Sequence, residues 1–174
     1  MFRRIAFTAV LAATLTAAGC DEGLPLEATP TLVVQMSIAP DPGVAVASSG
    51  VTFEQDGQTM EFPWMTTLSL IIRTDAAQAG ATIRNIGASV QESIDGIAVT
   101  PVVGDPIPRW RFIPRAASNR VEPGGEAIIE FDVWYWLPGG GGEAFVALNA
   151  TLSADVGGGV TDAVQVLVVP QSGS

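Results

Sequence analysis

The chain has 174 residues, 48% hydrophobic and only 15% charged, enough for one domain with a sizeable core and too few for two. Eighteen acids face eight bases, all of them arginine, with no lysine and no histidine. That balance excludes a grip on nucleic-acid phosphates and electrostatic adhesion to anionic lipid. It also removes the Ser-His-Asp triad, the Cys-His pair, imidazole metal ligands, the Ser-Lys dyad and the Schiff base.

In chain order, residues 1–20 read MFRRIAFTAVLAATLTAAGC. Arg3 and Arg4 precede an apolar run from Ile5 to Ala18, too short to span a bilayer and right for a secretory signal. Small residues then lead into Cys20, the single cysteine, which has no partner for an internal disulfide. The stretch Thr16-Ala17-Ala18-Gly19-Cys20 resembles a bacterial lipobox, with Ala17 where leucine is preferred. The resemblance implies cleavage after residue 19, lipid on the Cys20 thiol and a place in the bacterial cell envelope, on the inner or outer membrane. Each buried methylene of such lipid contributes about 0.8 kcal/mol, so two or three acyl chains hold a protein on a membrane durably. The mature chain then keeps six arginines against eighteen acids, a net charge of −12. Residues 20–30, acidic and proline-containing, read as the lipidated cysteine and its tether.

From residue 31 to 170 the pattern is one of short strands with period-2 alternation. Leu32, Val34, Met36 and Ile38 share a face, as do Leu68, Leu70 and Ile72; Ile86, Ala88 and Val90; Val146, Leu148, Ala150 and Leu152; and Val164, Val166 and Val168. Turn signals separate them: Asp56-Gly57, Gly80, Asp95-Gly96, Pro123-Gly124-Gly125, Gly139 to Gly142 and Gly157 to Gly159. Asp56-Gly57 predicts a tight hairpin, and the four glycines from Gly139 predict a hairpin between the strands on either side. Seven to nine strands in an all-β, antiparallel sandwich fit this rhythm, with residues 171–174 as a tail. The runs TTLSLIIRTDAAQAGATIRNIGASVQ, VEPGGEAIIEFDVWYW and VTDAVQVLVV resemble immunoglobulin-like domains of bacterial lipoproteins, over residues 31–170. With lysine absent, Pro40-Asp41-Pro42, Pro106 and Pro108 are the expected guards of exposed sheet edges.

Candidate chemistry is sparse, and neither catalysis nor a cofactor is expected. Glu126, Glu130 and Asp132 share one face of a strand, where water would leave them unactivated. Asp155 and Asp162, with help from Asp95 or Asp105, are the candidate calcium ligands of an adhesion-type domain. In EAIIEFDVWYW, alternation sends Ala127, Ile129, Phe131, Val133 and Tyr135 inward and Trp134 and Trp136 outward, about 7 Å apart. Trp134 and Trp136, with Trp110, are the candidate platform for a glycan or an envelope protein. Two arrangements would cancel that platform: a neighbouring loop over the indoles, with the 104–120 segment and its arginines as the candidate, or a β-bulge near Asp132 that turns the pair inward.

Overall fold

The computed structural model describes residues 32–171 except 56, 76–78 and 118. The signal segment, Cys20 and the tether lie outside the described residues. Those described form an all-β fold of twelve strands without helix. Five lie in the first half: β1 (Val34–Ala39), β2 (Gly43–Ala47), β3 (Thr52–Gln55), β4 (Gln58–Glu61) and β5 (Trp64–Thr74). β6 (Ala81–Ile94), β7 (Ile97–Ala98), β8 (Arg109–Ala117), β9 (Arg120–Val121), β10 (Glu126–Trp136), β11 (Ala144–Ala154) and β12 (Gly159–Pro170) follow.

Ten of them join in one hydrogen-bonded path, β7-β6-β11-β12-β2-β5-β10-β8, with β1 alongside β5 and β9 alongside β6. β2 is the hinge of this path. Gly43–Ala45 run parallel to Val168–Pro170, while Val46 and Ala47 pair antiparallel with Met65 and Trp64. The expected all-antiparallel arrangement of seven to nine strands is corrected on both counts: the described strands number twelve, and the prolines after β1 end its pairing with β5 and turn the chain toward β12, beside which β2 runs parallel. Pro40–Pro42 thus sit at this crossing, and Pro106 and Pro108 precede β8. The proline on an outermost strand is Pro114, in β8.

The alternation in β10 is realised without exception: Ala127, Ile129, Phe131, Val133 and Tyr135 are buried, and every residue between them is at least partly exposed. They meet Leu68, Leu70 and Ile72 of β5 and, from the other half of the path, Val146, Leu148 and Leu152 of β11 with Val166 and Val168 of β12, in one core. Full burial of a Leu, Ile, Val or Phe side chain contributes about 1.5–3 kcal/mol, so this shared core is what binds the two halves.

The glycine run is not a hairpin. β10 pairs with β5 and β8, whereas β11 pairs with β6 and β12, so residues 137–143 carry the chain from one half to the other. Three glycines there do different work. Gly140 adopts φ +72°, a conformation costly for other residues. Gly142 lies against the Trp64 indole, where a Cβ would come within 2.7 Å of the ring, and Gly141 is unconstrained.

The register also gives the molecule two ends. Val34 pairs with Thr74 beside the turns at Gly80, Glu122–Gly125 and Asp155, so the chain enters at that end. Ile94, Ile97, the 99–108 loop and Gly139–Gly142 gather at the other.

Candidate functional site

The outward face of β10 is built row by row across its neighbours. Trp136 stands opposite Arg109, Trp134 lies between Arg111 and Met65, and Asp132 lies between Ile113 and Thr67. A β-bulge does interrupt this ladder near Asp132, but the extra residue, Arg115, is on β8, so β10 keeps its alternation. Arg115 donates from Nε to Asp132 Oδ2 at 2.7 Å, and Thr67 Oγ1 donates to Asp132 Oδ1 at 2.7 Å. Glu126 is paired with Arg73. Of the three carboxylates in this row, two are therefore held by arginines.

Both candidate tryptophans of β10 are half-buried. The segment over Trp134 is the β3–β4 hairpin, which pairs only with itself. Its Phe53 ring meets Trp134 edge-on at 6.1 Å and Phe62 at 5.4 Å, and the Arg111 guanidinium lies 6.0 Å from the Phe53 centroid. The Asp56-Gly57 signal predicted this hairpin, and Gln55 does pair with Gln58 across it. Its docking on Trp134 is long-range and had no local signal.

Trp136 keeps an open side. It lines a groove of about 440 Å3 with Met60, Glu61 and Pro63. Glu61 Oε1 accepts from the Gly50 N–H at 3.1 Å, which steadies the carboxylate at the groove wall. These hairpin residues were not singled out from sequence.

Trp110 does not belong with the other two. Its register with Tyr135 places it on the inward face against the core, and its indole N–H donates to Ala88 O on β6 at 2.9 Å. A three-tryptophan platform is thus not formed: one points inward, one lies under Phe53, and one faces a groove.

Asp155 and Asp162 are also separated. Asp162 pairs with Ala150, five residues from Asp155 along β11 and its turn, or roughly 15 Å at strand rise. Asp155 is engaged by both terminal nitrogens of Arg120, at 2.9 and 2.8 Å, which hold its carboxyl below the usual range. Asp95 and Asp105 lie toward the opposite end. The separation comes from the β11–β12 register, which no spacing in the sequence displays. Among the described residues no group of three or more His, Cys, Asp or Glu side chains is arranged to hold a metal ion.

At the far end Glu143 accepts from the Gly96 N–H and the Ser93 hydroxyl, both at 2.7 Å, and these bonds lower its pKa. Tyr135 is fully buried and donates to Gly142 O at 2.6 Å; burial pushes its phenol well above the ordinary value. Compared with known proteins, the chain matches no family model, no curated protein and no solved structure.

Proposed function

We propose that this chain is a lipid-anchored, non-catalytic binding or structural module of the bacterial envelope, with an immunoglobulin-like sandwich held on the membrane through Cys20. The observation that carries this reading is the lipobox-like approach to a lone cysteine, followed by an acidic, proline-containing tether. The layout of the domain supports it. The chain enters at the end bearing Thr74 and Gly80, and the opposite end exposes Ile94, Ile97, Val102, Val103 and Ile107. Apolar side chains held away from the anchor suit contact with another envelope component.

Metabolic labelling with a clickable fatty acid tests the anchor. Label should enter the wild-type chain, and Cys20→Ser should abolish it and release the protein from membranes. Equal labelling of the two would refute lipidation at Cys20.

A second reading is favoured by the groove beside Trp136. An indole face next to a fixed carboxylate can stack one sugar ring and accept from its hydroxyls. Titration with soluble oligosaccharides, read by tryptophan fluorescence, should then give saturable quenching that Trp136→Ala removes. Unchanged fluorescence across a glycan panel would end that reading.

A further inference from the structure

The free edge of β6 is closed at both ends and open between them. At one end Ala81 and Thr82 pair with β9, and the Ile83 N–H donates to Asn119 O. At the other, Ser93 and Ile94 pair with β7, and Glu92 O accepts from the Val99 N–H. Between lie Arg84, the extra residue of a β-bulge in the β6–β11 ladder, and Asn85 to Gln91, about 23 Å of strand at 3.3 Å per residue. Because Ala88 O and Glu92 O both point to this edge, strand alternation directs the N–H and C=O of Ile86 and Val90 there too. Trp110 occupies one position: its indole N–H bonds Ala88 O as a partner strand's amide would.

Beside the Arg84–Ile86 half of the window is a slot of about 280 Å3 between β6 and β8. Ile83, Ile86, Phe112, Pro114 and Ile129 make its wall apolar. It falls short of the ~300–1,000 Å3 usual for small-molecule sites and has room for one or two apolar side chains. Arg84 stands exposed at the rim and forms no ion pair among the described residues, in a protein that is otherwise strongly acidic. The β6 of a second copy does not fit here: at fourteen residues it would overrun the positions held by β7 and β9.

We infer that this window receives a short extended peptide from a partner protein, added as a strand to β6, with a bulky apolar side chain in the slot and a neighbouring carboxylate at Arg84. The inference rests on the binding-module reading and names its partner chemistry. Backbone bonds at Ile86 supply the pairing, the slot selects the apolar residue, and Arg84 selects the acid.

The test is selection of short random peptides displayed on phage against the full chain in detergent micelles, a readout that does not depend on Cys20. Enriched sequences should carry a large apolar residue beside Asp or Glu, and Arg84→Glu should weaken the best of them about fivefold, the upper end of what one exposed ion pair supplies. N-methylation of the enriched peptide supplies a second measurement without altering the protein. Methyl groups on one alternating set of amides should abolish binding, and the other set should be tolerated. Selection that enriches nothing, or methylation without alternation, would overturn the proposal.

Discussion

Tyr135 offers a titration that few proteins allow. It is the single tyrosine, lysine and histidine are absent, and the one cysteine is the proposed lipid site, so above pH 9 the only other titrating group is an α-amine left unacylated. The phenol is fully buried and its pKa is raised by that burial. A raised folded-state pKa means that the stability is fully present below the unfolded value, ~10, and is lost as pH rises above it. The loss grows by about 1.36 kcal/mol per pH unit, so at pH 11.5 it reaches roughly 2 kcal/mol. Tyr135→Phe should change two things at once. At pH 7 it leaves the buried Gly142 carbonyl without its 2.6 Å donor, costing about 1–2 kcal/mol. With about 140 ordered residues unfolding near 2.1 cal/mol/K each, that lowers Tm by roughly 3–7 °C. Between pH 10 and 11.5 the variant should then hold its remaining stability. Urea titrations followed by tryptophan fluorescence read both effects. If wild type and variant lose stability in parallel above pH 10, the alkaline loss does not come from Tyr135 and the reasoning fails.

Three further outcomes follow from particular contacts. Gly142→Ala should destabilise by about 1–3 kcal/mol, because its Cβ would meet the rigid Trp64 ring, while Gly141→Ala should be silent in the same chemical denaturation series. Thr66→Val should raise stability by about 1 kcal/mol, since the Thr66 hydroxyl is fully buried without a hydrogen-bond partner among the described residues. Asp155 and Glu143 both have depressed pKa values, so their stabilisation is present above the unfolded carboxylate range and is lost as pH falls through and below it. Asp155→Asn should flatten the acid limb of a Tm-against-pH curve, and an unchanged limb would deny the Arg120 contact that role.

The amino-acid sequence by itself determined the longer strands and their faces, though not the short β2, β7 and β9. Period-2 alternation acts through neighbouring residues only, which is why Tyr135 inward and Trp134 and Trp136 outward could be read from EFDVWYW and are found so. The same local chemistry placed the Asp56-Gly57 hairpin. Tertiary structure decided what lies next to each face. Whether Gly139–Gly142 returns a strand to its neighbour or carries it to the other half depends on which strands pair, and adjacent strands in sequence need not pair in space. Phe53 reached Trp134, Trp110 reached Ala88 and Arg120 reached Asp155 across separations that no window of sequence spans. Burial energy is collected over the whole core at once, and local pattern reports only the share that each strand brings to it.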